Sequence, residues 1–213
     1  METTAIKNLQ VFTLTDEKTN QIYYGCNQEW YTSFWRRLSG CGPSTACNIL
    51  FYLYQTRMAG EKAKRFHNKA NCVAWMNEVW RYVTPTFRGI PTTKLFYESV
   101  LAYAQAKQMK VTYNVCNLPK AKASRPAFDE VVTFLKEALR QDTPVAFLNL
   151  CNGEEVNLEA WHWVTIVALE CSGDERSVFV DIADGGMIKK IDLSLWYRTT
   201  KKGGGFVYFV TEP

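Results

Sequence analysis

Histidine is scarce in this chain. There are two, His67 and His162, and neither a C-x-x-C nor an H-x-x-x-H spacing occurs. The usual signatures of a structural zinc site are therefore missing, and no metal or cofactor is expected. No apolar run approaches the roughly 18 residues that span a bilayer, and Met1-Glu2-Thr3-Thr4-Ala5 is not a basic region leading into an apolar one. Neither a membrane partner nor an export signal is expected. Charge of one sign is also in short supply. The formal net charge is +4, and the basic residues are scattered over Lys62, Lys64, Arg65, Lys120, Lys122, Lys189, Lys190, Lys201 and Lys202. Such scatter reads as solvated surface rather than a nucleic-acid footprint. Internal repeats and low-complexity segments are absent.

What remains is ordinary globular composition, 47% hydrophobic and 22% charged over 213 residues. That is enough for one substantial core, and nothing resembles a linker. We expect a single domain spanning 1–213, with a helical lobe over about 28–142 and a sheet lobe over about 143–213. The seven cysteines are odd in number and irregular in spacing. They suit a reducing cytoplasm better than a disulfide framework.

Helical periodicity marks 44–57, 71–82, 92–108 and 127–140; in the last, Phe128, Val131, Val132, Leu135 and Leu139 recur near 3.6 residues. From Pro144 onward the pattern changes to β-branched runs at 145–150, 161–169, 177–183, 186–192 and 205–211, separated by glycine-containing turns. Helices first and an antiparallel sheet second is an α+β order.

Chemistry concentrates at Ser39-Gly40-Cys41-Gly42-Pro43-Ser44. Pro43 fits only a first turn, so a helix must begin close to Cys41. A thiol there meets the positive end of the helix and free backbone N–H groups, both of which favour thiolate. Gly40 and Gly42 leave room for a substrate carbonyl. His162 heads an interior strand, Trp161-His162-Trp163-Val164-Thr165. A hairpin turn at Ser172-Gly173-Asp174-Glu175 sets partner numbers summing to about 346 and puts Asp184 opposite His162, in preference to Asp181. Thiol, imidazole and carboxylate together match the division of labour in acyl transfer. Oxyanion donors would be the Cys41 N–H and a side-chain amide, Gln28 ahead of Asn27. Trp30, Trp35, Trp161 and Trp163 are candidates to line an apolar substrate cleft. His67 reads as a helix-end surface residue, and Cys47 as buried rather than resolving.

These residues resemble the C39-like branch of the papain-like cysteine peptidases. The carrying segments are Asn27-Gln28-Glu29-Trp30-Tyr31, Gly40-Cys41-Gly42-Pro43-Ser44, His162-Trp163-Val164-Thr165-Ile166-Val167 and Val180-Asp181-Ile182-Ala183-Asp184-Gly185. Where that family often has proline after the acid, this chain has Gly185. The resemblance implies a papain-like fold with a closing helix and strand after Ile191. It makes Cys41 the nucleophile, His162 the base and acid, Asp184 the orienting acid and Gln28 the oxyanion donor. The implied activity is hydrolysis of a peptide or amide bond, with a peptide or small amide or acyl compound as substrate. Acyl transfer on the same thiol and a silent binding module are the alternatives.

Overall fold

The computed structural model describes residues 2–58, 68–172 and 177–211. Its strands there are β1 (Glu2–Ala5), β2 (Thr13–Thr15), β3 (Ile22–Tyr24), β4 (Val111–Leu118), β5 (Val145–Asn149), β6 (His162–Cys171), β7 (Val178–Asp184), β8 (Met187–Asp192) and β9 (Gly204–Thr211). Its α-helices are α1 (Phe34–Ser39), α2 (Cys41–Leu53), α3 (Lys69–Trp80), α4 (Thr93–Ala106), α5 (Phe128–Arg140) and α6 (Leu193–Thr199). The result is a mixed α/β structure of helices around an antiparallel sheet. No helix among the described residues is long and apolar enough to cross a membrane.

The four helical patterns become α2 to α5, and the five β-branched runs become β5 to β9. Six labelled elements lie outside those patterns, among them α6, which only the family resemblance led one to expect. Helix α1 has six residues, too short to show a period, and is announced only by Ser33, whose hydroxyl caps Arg36 N. Strand β1 is short, exposed and polar, with no apolar alternation to mark it, whereas β4 does alternate Val111, Tyr113 and Val115 with Thr112 and Asn114 but lies among helical patterns. The small hairpin β2–β3 forms a separate two-stranded sheet.

The main sheet runs β4-β9-β5-β6-β7-β8, with every neighbouring pair antiparallel and β1 added alongside β6. Strand β6 is its axis. One edge pairs with β7; the other pairs with β5 over His162–Ile166 and then with β1 over Ala168–Cys171. At the changeover the β6–β7 ladder slips by one residue, between Ile166 and Ala168. The Val167 carbonyl turns to the other edge there and accepts from Ile6 N at 3.0 Å.

That bulge corrects the register expected from sequence. Partner numbers sum to 349 near the hairpin end, as in Cys171 with Val178, and to 348 beyond the bulge, as in Thr165 with Ala183. The turn itself, at 173–176, lies outside the described residues. Extending the second register puts His162 opposite Gly186, with Asp184 two residues away on the same face. Under the first register the two side chains would point to opposite faces, because strand side chains alternate. The extra residue in β6 therefore restores the shared face.

Two cores flank the sheet. In one, Val131, Leu135 and Leu139 of α5 and Trp196 of α6 pack against Phe147, Val164 and Phe206. In the other, Leu50 of α2, Met76 of α3 and Phe96 of α4 cover Leu148, Trp163 and Phe209. Trp163 stacks on Phe96 at 4.2 Å between centroids and donates its indole N–H to Ile90 O at 2.7 Å. It thereby locks the residue following His162.

Candidate active site

Helix α1 runs almost directly into α2, with Gly40 as the break and Cys41 as the first residue of the new helix. A Cβ on Gly40 would lie 2.5 Å from Arg36 O and 2.9 Å from the Tyr31 ring; one on Gly42 would lie 2.8 Å from Ile90. The space beside these glycines is filled by the protein itself. Gly40 is thus the point where two helices and a ring close together, and it is absent from the walls of both cavities that Cys41 borders. Cys41 remains half-exposed.

His162 is buried, and its Nε2 lies 2.7 Å from Asp184 Oδ1. With Nε2 so committed, Nδ1 is left for Cys41, which interacts with the ring by hydrogen bond and by charge. Burial alone would push the imidazole pKa down. The bond to Asp184, followed by the bond and charge of Cys41, outweighs it and raises the value from 6.5 to about 10. Burial likewise pulls the Asp184 pKa upward, but the His162 bond and charge and the Lys189 bond hold it below its usual value. Lys189 Nζ sits 2.6 Å from Asp184 Oδ2, so each carboxylate oxygen has its own cationic partner. Asp181 lies elsewhere, 3.9 Å from Lys190. Lys189 escaped the sequence reading, which counted it as surface charge. The β7–β8 hairpin pairs Asp184 with Met187, and this pairing sets Lys189 one diagonal step away on the same face.

Strain marks the entry to β6. Trp161 has φ +58, in the left-handed region that a bulky side chain avoids. Its exposed ring lies under Lys202 Nζ at 4.6 Å from the centroid, an attraction that helps hold the turn leading into His162.

Gln28 opens a 3₁₀ turn, Gln28–Trp30, capped by Asn27. Asn27 is fully used: its Oδ1 accepts from Glu29 N at 2.9 Å and its Nδ2 donates to Gly185 O at 2.8 Å. Gln28 carries a buried Oε1 with no hydrogen-bond partner. No hydrogen bond from the Gln28 Nε2 donor to the described residues is seen, whereas the Asn27 donor is engaged by Gly185 O. Asn48 is a further residue that the sequence reading passed over. Two helical turns beyond Cys41, it accepts from Cys26 N at 2.8 Å and donates to Thr165 Oγ1 at 3.1 Å. One buried side chain on α2 thus holds the strand bearing His162 and the segment leading to Gln28.

Cys41 borders two cavities. A polar one of 230 Å³ brings together Gln28, Asn48, His162, Asp184 and Lys189. An apolar cleft of 520 Å³ is lined by Trp35, Leu38, Ile90, Leu150, Trp161 and Trp163, among others. Three of the four candidate tryptophans meet there. Trp30 lines neither, and instead packs edge-on against Tyr23 at 5.0 Å with Lys69 over its ring. His67 lies outside the described residues.

No family model and no curated protein matches the chain. Twenty-two chains of solved structures match it. One is the crystal structure of UfSP from C. elegans, with a TM-score of 0.50 and 12% sequence identity over all of this chain. The alignment covers 34% of that chain, so the present chain spans about a third of its length. At this identity the likeness is one of fold.

Two predictions follow from the polar network. Replacing Asp184 by Asn removes the carboxylate that holds the imidazolium, so the His162 pKa, read by NMR titration, should fall by more than one unit from about 10. Because the folded value lies above the unfolded one, this proton stabilises the fold fully below about pH 6.5 and ceases to do so as pH rises through about 10. Asp184→Asn should flatten that dependence in urea titrations. Asn48→Leu would strand the Cys26 N–H and the Thr165 hydroxyl. Urea unfolding should show a loss of about 2–4 kcal/mol.

Proposed function

We propose that this chain is a papain-like cysteine hydrolase that cleaves a peptide or amide bond through a thioester on Cys41. The observation that carries the reading is the meeting of Cys41 with His162, whose other ring nitrogen is bonded to Asp184. Within that class we favour the C39-like branch, on the order and spacing of Gln28, Cys41, His162 and Asp184. The seven free thiols suit work in a reducing, cytoplasmic setting.

In the proposed reaction, the Cys41 sulfur attacks the substrate carbonyl while His162 carries the imidazolium proton. The carbonyl oxygen becomes an oxyanion, accepted by the Cys41 backbone N–H and the Gln28 amide. As the C–N bond breaks, the imidazolium gives its proton to the departing amine. His162, now neutral, takes a proton from water, whose oxygen attacks the thioester. The acid product leaves, and the proton returns the pair to its starting state. Asp184, itself held by Lys189, fixes the ring through both half-reactions.

The apolar cleft supports a substrate with a bulky hydrophobic residue beside the scissile carbonyl. The same cleft gives acyl transfer its standing as second reading, since excluding water lets an amine take the acyl group. Mass analysis of products with and without added amine separates the two.

At pH 6, iodoacetamide should label Cys41 before the other six cysteines and faster than a free thiol of pKa about 8.5 would allow. His162→Ala should remove that selectivity. Equal labelling of all seven cysteines in the native protein would sink the catalytic reading and leave the silent binding module. Leu38, 65% exposed at the cleft rim, offers a test of specificity. Leu38→Glu should lower kcat/KM about 10- to 100-fold for peptides with a bulky apolar residue, and leave small-residue peptides within about threefold.

A further inference from the structure

Three cysteines far apart in sequence meet beneath the site. Cys26 lies in the segment entering the Gln28 turn, Cys47 on α2 and Cys72 on α3. Their sulfur atoms all lie within 4.8 Å of one another, and Cys26 and Cys72 are 3.2 Å apart. All three are buried, at 6%, 1% and 6% exposure. They border a void of 10 Å³ whose remaining wall includes Phe12, Leu14, Phe51 and Trp75. The carboxamide of Asn48, also in that wall, is already spent on Cys26 N and Thr165. Among the described residues the wall of this void offers no carboxylate or imidazole.

We propose that Cys26, Cys47 and Cys72 form a binding site for a single copper(I) ion. Three soft sulfur donors with no hard ligand and no room for several waters match the preferences of that ion. Zinc in structural sites calls for a fourth ligand, which this wall does not supply. A three-coordinate ion with metal–sulfur bonds near 2.3 Å sets its sulfurs about 4 Å apart. That separation falls inside the observed limit, and Cys26 and Cys72 need to part by less than about 1 Å to reach it. Each thiol that binds as thiolate releases a proton to solvent, so affinity rises with pH. The ion would tie α2, α3 and the segment leading to Gln28 together at one point. The nucleophile takes no part, and the proposal stands independently of the hydrolase reading.

The test uses the full chain carrying Cys41→Ala, reduced and handled without oxygen, titrated with copper(I) against the chelator bicinchoninate. One equivalent should be withdrawn from the chelator, and X-ray absorption should show a shell of three sulfurs. Cys26→Ser, Cys47→Ser and Cys72→Ser should each weaken binding by at least about 100-fold, while Cys116→Ser and Cys151→Ser leave it unchanged. Circular dichroism identifies any serine variant that does not fold, and the absorption spectrum of the parent then decides. Nitrogen or oxygen in the shell overturns the proposal. So do failure to compete with the chelator, preferential retention of zinc, full affinity in a folded Cys72→Ser variant, or a Cys26–Cys72 disulfide that forms in the presence of copper.

Discussion

Asn48 spends both ends of its carboxamide inside the protein, and the proposed machinery hangs from it. Its oxygen holds Cys26 N and its nitrogen holds Thr165 Oγ1, while its backbone belongs to the helix that Cys41 begins. Two pieces of chain remote in sequence are thereby fixed to one rigid element. A hydrophobic contact at this place would stabilise comparably but would not dictate position, because dispersion is non-directional whereas two buried hydrogen bonds admit one geometry. Gly25 adapts to the same group. Its φ of +80 and the 2.9 Å approach of Asn48 Oδ1 to a Cβ there leave no room for a side chain.

The second constraint is the slip in β6. Central strands normally gain from an uninterrupted ladder, and a bulge forgoes part of it. Here the interruption falls where β6 exchanges one neighbour, β5, for another, β1, so the pairing is already changing hands. What the sheet forgoes in regularity it returns as alignment, with His162 and Asp184 sharing a face. Lys189 then completes a short run of alternating charge, from imidazolium through carboxylate to ammonium. Each member offsets the desolvation of the next, which is how several ionisable groups can share one buried corner.

Much of this was legible in the residues. Cys41 could be found because proline is confined to a helix start, and His162 because it interrupts an otherwise apolar strand. Asp184 was found by hairpin arithmetic whose sum was low by two or three, yet even, and evenness alone decided which acid shares a face with the histidine. What escaped has a common cause. Asn48 and the three clustered thiols act through partners tens of residues away, and no local pattern records such meetings; Lys189, only a hairpin away from Asp184, is a lysine like any surface one until the turn is placed. Strand β1 escaped for a different reason: four residues long and solvent-facing, it carries no apolar alternation; β4 carries one over residues 111–115 but sits between helical patterns. At Gly40 the structure shows what the sequence could not, that the close neighbours are Arg36 O and the Tyr31 ring.

The pairing of Glu2 with Cys171 places the first strand of the sheet against one completed some 170 residues later. During synthesis β1 must wait, unpaired, until Cys171 and its strand have appeared. Cys41 waits likewise, since the strands holding His162 and Asp184 leave the ribosome long after it does. Contacts of such wide sequence separation fold slowly, because the entropy of the intervening loop is lost before any pairing rewards it. The order of emergence thus acts as a timer. Under the proposed reading, Cys41 meets His162 only when the sheet closes, so the nucleophile would be silent on the ribosome.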